Sequence, residues 1–159
     1  MGEAQERVFE PATGDGPATP DPKGTRTGQV RTAYEGMLQI RRLTRSTCAD
    51  PEGAPAPWEL HRPVRAVALA LEAAGTTPSA VGPSGERTAT GYRVCENDRP
   101  GSVRVEWVGP PGSGAVHDEG EALAGCAEVL RRLGWTVLLY RGARKRRFLE
   151  VEPPSAVRS

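Results

Sequence analysis

Lysine is almost missing from this sequence. It occurs only at Lys23 and Lys145, so all but two of the 21 basic residues are arginine. Ala, Gly and Pro are abundant as well. That bias is the one GC-rich coding produces, and arginine richness alone therefore says little about function. Charge of one sign is also absent. The 21 basic and 20 acidic residues leave a net charge of +1, which excludes a global field drawing the chain to nucleic acid or to a membrane. The apolar runs are short, so no helix spans a bilayer. The N-terminus is acidic and has no apolar h-region, so no secretory signal is expected. The three cysteines, Cys48, Cys95 and Cys126, have no CxxC spacing. With only His61 and His117 beside them, they form no standard zinc signature. An odd count without a signal points to reduced thiols in a cytoplasm.

What is present alternates between helical and strand periodicity. Residues 1–28 are rich in Gly, Pro, Thr and acidic groups and read as a disordered tail. Residues 29–154 read as a single domain, and 155–159 as a disordered end. Val30, Ala33, Tyr34, Met37, Leu38 and Ile40 or Leu43 recur at three and four residues, which predicts a helix over about 29–45. A loop over 46–57 follows. A second helix is expected from Pro57 or Glu59 to Ala74, with Gly75 at its C-cap and Pro63 as either its break or its true start. Residues 76–88 read as loop.

From Ala89 the period changes to two. TGYRVCE and SVRVEWV flank NDRPG, the pattern of a hairpin. A helix is expected from Asp118 to Leu133, with Leu123, Cys126, Ala127, Leu130 and Leu133 as one apolar stripe. Asp118 is its expected N-cap, and Glu121 three residues on completes a capping-box pattern. WTVLLYR and RFLEVEP are strands around the turn GARKR. The fold class that follows is α+β, a four-stranded antiparallel sheet in the order α-β-β-α-β-β, preceded by an additional N-terminal helix. Leu71–Thr77 and Leu130–Thr136 match in outline, so a degenerate αββ repeat over 58–109 and 118–153 is one reading. Chance likeness between two helix ends is the other.

One motif misleads. GPPGSG at 109–114 has the glycine spacing of a P-loop and stands between a strand and a helix. A P-loop continues with Lys, which reaches the phosphates, and Ser or Thr, which binds Mg²⁺. Here those positions are Ala115 and Val116. No nucleotide and no other cofactor is expected.

Five further features carry weighable chemistry. RGARKRRF at 141–148 holds five basic residues, Arg141, Arg144, Lys145, Arg146 and Arg147, with Arg131 and Arg132 on the preceding helix. It is either a phosphate-contacting loop or a charged turn that blunts a sheet edge. Strand alternation sends Val137, Leu139, Leu149 and Val151 to one face and Leu138, Tyr140 and Phe148 to the other, with Arg93 or Arg104 beside the latter. That second face either stacks bases or is covered by the 29–45 helix or by a second subunit. Cys126 and Cys95 read as structural thiols, because no nearby Lys or His would lower their pKa. His117-Asp118-Glu119 reads as a helix start rather than an acid/base cluster. Leu71–Val81 has the turn glycine of a helix-turn-helix, but its second helix would have to run through GPSG at 82–85.

The sequence therefore predicts a non-enzymatic interaction module of unknown role with no catalytic or metal residues. It acts through its sheet face, with Leu138, Tyr140 and Phe148, or through a helix face; its partner is another protein or a second copy, and no membrane is involved. The alternatives are a nucleic-acid binder using the basic hairpin and a degenerate enzyme using Cys126 or His117.

Overall fold

The computed structural model describes residues 9–154. The helices are α1 (Thr25–Thr44), α2 (Pro57–His61), α3 (Pro63–Ala73) and α4 (Ala115–Arg132). The strands are β1 (Ala80–Val81), β2 (Arg87–Ala89), β3 (Gly91–Glu96), β4 (Val103–Val108), β5 (Thr136–Arg141) and β6 (Arg147–Glu152). Four of the strands form an antiparallel sheet in the order β3-β4-β6-β5. The α+β class, the antiparallel sheet and the additional N-terminal helix are as the sequence predicts. The two hairpins lie side by side, joined where Val103 pairs Val151 and Val105 pairs Leu149.

The sheet is apolar on one face. Tyr92, Val94, Val103, Val105, Val137, Leu149 and Val151 are buried there against α3 and α4. Every member of the predicted α4 stripe is buried. Both α3 and α4 end in the same way. Gly75 and Gly134 take φ of +88° and +89°, and the N–H after each donates back to the carbonyl of Leu71 or Leu130 at 3.1 Å. This is the Schellman closure, and it is the physical content of the outline match between the two segments.

Several boundaries differ from expectation. The segment read as tail is held to the body from Phe9 onward, while residues 1–8 and 155–159 lie outside the described residues. The Thr13 carbonyl accepts from Val94 N–H at 2.7 Å and the Gly16 carbonyl from Val81 N–H at 2.9 Å. Arg26 forks onto Glu72 at 2.6 and 3.0 Å and donates to the Glu10 carbonyl. A low count of apolar residues concealed a segment bound through its main chain. Gly14 makes the approach feasible: its φ is +94°, and a Cβ there would stand 2.3 Å from the Tyr92 carbonyl oxygen.

Helix α1 begins at Thr25 rather than Gln29, because Asp21 accepts from the Arg26 and Thr27 N–H groups at 2.8 Å each. Its stripe ends on Arg41 rather than on an apolar residue; Ile40 and Leu43 are exposed. Arg41 and Glu59 are 0% exposed. They pair by two bonds at 2.8 and 2.7 Å, and Arg41 also donates to the carbonyls of Glu52 and Leu133. Pro63 starts α3 after a break at Arg62. The loop over 76–88 contains the short β1–β2 hairpin. Helix α4 begins at Ala115 with Gly114 as N-cap, so Asp118 lies inside the first turn and the Asp118–Glu121 box does not form. The backbone turned helical as soon as the GPPGSG loop ended.

Candidate functional site

Each sheet edge has its own fate. On β3, the outward N–H groups of Tyr92 and Val94 are taken by the carbonyls of Thr77 and Thr13, and the Tyr92 carbonyl by Ser79 N–H. That edge is covered by the chain itself. Among the described residues no strand follows on β5. The edge guard there is Arg131, whose Nη2 donates to the Val137 carbonyl at 2.8 Å. Beyond it, Leu138, Leu139 and Tyr140 stand in sequence with 43%, 57% and 43% of their surface exposed.

Leu139 lies on the core side of the sheet, as alternation predicts, but α4 does not shield it. Leu138, Tyr140 and Phe148 share the opposite face. Of the two covers weighed for this face, α1 is not one: α1 packs on α3, in the helical layer, because its buried positions Val30, Met37 and Arg41 answer α3 and α2 rather than the sheet. Tyr140 stacks on its cross-strand partner Phe148, ring centroids 5.7 Å apart. The Arg104 guanidinium lies 3.6 Å over the Phe148 ring, a cation–π contact.

The rest of this face is charged and internally satisfied. Glu106 accepts from Arg93 at 2.9 Å and from Arg104 at 2.6 Å. Asp15, brought over by the N-terminal segment, accepts from Arg93 and Arg87. Glu150 accepts from Asn97 and Arg99. Burial alone would raise the carboxyls of Asp15 and Glu106, but the guanidiniums that bond them hold both below the usual carboxylate range.

The five basic residues of the β5–β6 turn divide. Arg146 donates to Glu119 at 2.7 Å and to the Trp107 carbonyl at 2.8 Å, and Glu119 is 3% exposed. The Arg147 N–H also donates to Glu119, and its guanidinium lies against Gly120. These two tie the hairpin to α4. Arg141, Arg144 and Lys145 are exposed. Arg144 and Lys145 hold φ of +58° and +62°, left-handed conformations that hairpin turns normally give to Asn and Gly. The sequence signal that would have separated the two groups is Glu119, the acid that answers Arg146 and is itself buried at the helix start.

The other candidate residues do not converge. Cys126 is buried in the α4 stripe, and burial pushes its thiol up to about 11. Cys95 is half-buried; desolvation raises its thiol despite Arg93 nearby. Cys48 is exposed on the α1–α2 loop, and His117 is exposed in the first turn of α4. The GPPGSG loop does stand between a strand and a helix, β4 and α4, with Arg87 and Arg146 at its rim. Both arginines are engaged, by Asp15 and Glu119. Among the described residues no helix is long and apolar enough to cross a membrane. Compared with protein-family models, with curated proteins and with solved structures, the chain matches none.

Proposed function

We propose that this protein is a non-catalytic interaction module that works through the β5 edge and the Leu138–Tyr140–Phe148 face beside it. The observation that carries the reading is the run Leu138-Leu139-Tyr140, exposed on a strand that has no neighbour on its outer side among the described residues. An unpaired, uncharged apolar edge recruits another strand unless something guards it. A cytoplasmic setting fits three unpaired thiols. The test is a photocrosslinking amino acid placed at Tyr140 in the expressing cell, with the exposed Val116 on α4 as control position. A protein adduct at Tyr140 and none at Val116 supports the module. Equal labelling at both positions sinks it.

A second reading is favoured by the exposed Arg141, Arg144 and Lys145 next to the stacked Tyr140 and Phe148. Stacking rings beside phosphate-seeking cations are the equipment of single-strand binders. Fluorescence anisotropy with labelled single-stranded and double-stranded DNA and RNA tests it, using a variant with Arg141, Arg144 and Lys145 changed to Ser. Arg146 and Arg147 are left intact because they hold α4. Binding that weakens with salt and vanishes in the variant supports this reading; equal binding by the variant removes it.

A further inference from the structure

We infer that the occupant of the β5 edge is the β5 strand of a second copy of this chain, paired antiparallel about a two-fold axis at Leu139. The inference rests on the interaction-module reading above and names its partner.

The hydrogen-bond phase of the sheet fixes the register. Along a strand, N–H and C=O groups of successive residues point alternately to either side. On β3, Tyr92 and Val94 point outward, to Thr77 and Thr13. Carried across the pairings of β4 and β6, the same phase turns Thr136, Leu138 and Tyr140 toward β6. The Gly142 N–H bond to Arg146 continues that series. Val137, Leu139 and Arg141 are left facing outward. The Arg131 bond to the Val137 carbonyl reports the same phase independently.

An antiparallel partner must match outward residues with outward residues. With the axis at Leu139, Leu139 faces the partner's Leu139, and Val137 faces the partner's Arg141. Roughly six main-chain hydrogen bonds join the copies, the two at the Val137 carbonyls sharing their acceptor with Arg131. The run is palindromic in character, so on the open face Leu138 lies beside the partner's Tyr140, and Tyr140 beside the partner's Leu138. The Tyr140–Phe148 stack extends that apolar row, and on the helix face the two exposed Leu139 side chains cover each other. Thr136–Tyr140 carries no charge; the cations at the ends of the paired stretch are Arg141 and, at the Val137 carbonyl, Arg131.

Closure favours a second copy over open-ended pairing. The doubled sheet would have eight strands, and both its outer edges would be β3 edges. Residues Thr13 and Thr77–Ser79 already cover those. The assembly therefore stops at two, as a two-fold contact with no remaining free edge must.

Sedimentation velocity on the full chain, from about 1 µM to about 300 µM, tests the proposal through mass action. The wild type is expected to pass from monomer to dimer. Leu139→Lys places two like charges at the axis and is expected to weaken the dimer by at least about tenfold; a melt confirms that the exposed substitution leaves the fold intact. In a Cys48→Ser background, Leu139→Cys is expected to form an intermolecular disulfide on mild oxidation, since paired positions lie within disulfide reach. Leu43→Cys, exposed on α1, is expected not to. A wild type that stays monomeric throughout overturns the second copy, as does a dimer that Leu139→Lys leaves unchanged. If Tyr140 nonetheless crosslinks to a different protein, the module reading stands and only its partner was wrong. If Tyr140 crosslinks to nothing, both fall.

Discussion

Among the described residues, Arg144 and Lys145 are the two non-glycines in left-handed backbone. Left-handed backbone costs a residue with a Cβ roughly 1–2 kcal/mol, and both adopt it in one turn. Arg144→Asn with Lys145→Gly is expected to stabilise the protein by about 1–3 kcal/mol, visible as a rise in Tm of several degrees. The pair thus sets charge at the tip above stability. Arg41 is the opposite case, a fully buried cation that makes four hydrogen bonds. Arg41→Met is expected to cost about 3–5 kcal/mol in urea denaturation, because it strands the Glu59 carboxylate in the interior. Adding Glu59→Leu is expected to recover part of the loss, which a double-mutant cycle would read as coupling. Of the thiols, Cys48 is expected to react with iodoacetamide in the native protein. Cys126, buried and held near 11, waits for unfolding, which mass spectrometry of timed samples would reveal.

Among the elements, the N-terminal segment and β3 depend on each other through one glycine and one carboxylate. Gly14→Val would drive a side chain into the Tyr92 carbonyl. It is expected to strip the protection of the Val94 amide in hydrogen exchange while leaving β5 and β6 unaltered. Asp15 supplies the electrostatic half of the clasp. Its folded-state pKa and that of Glu106 lie below their ordinary values of 3.8 and 4.5. A depressed carboxylate contributes stability that is fully present above its unfolded pKa and is lost as pH falls through the folded one. The clasp is therefore expected to hold at neutral pH and to loosen below about pH 4. Asp15→Asn is expected to flatten the acid limb of a pH–stability profile; the same limb in both proteins would deny Asp15 that role.

At the scale of the molecule, the two edges of one sheet have been treated differently. The β3 edge is covered by two separate stretches of chain, whereas β5 keeps three apolar residues in the open and a single arginine on guard. If that edge is completed by a second copy, folding and association are linked, and Tm is expected to climb with protein concentration in the wild type. Leu139→Lys is expected to melt at a temperature that concentration does not change. Differential scanning fluorimetry over a hundredfold range of concentration distinguishes the two behaviours.

The α4 stripe, the two hairpins and the glycine ends of α3 and α4 were legible from the sequence, because periodicity and turn chemistry act between residues a few positions apart. So were the missing Lys and Ser/Thr of the GPPGSG loop, and the face shared by Leu138, Tyr140 and Phe148. The start of α4 is not legible locally, since Asp118 is a good cap and nothing nearby says that Gly114 caps first. Three other features depended on residues far apart in the chain, and only the tertiary structure decided them. The segment 9–24 belongs to the body because Thr13 meets Val94 and Arg26 meets Glu72. Arg146 and Arg147 leave the basic cluster because Glu119 lies across from them. Helix α1 leaves the second sheet face bare because its polar-looking Arg41 has a buried partner in Glu59, and that pairing carries the helix to the other side of the molecule.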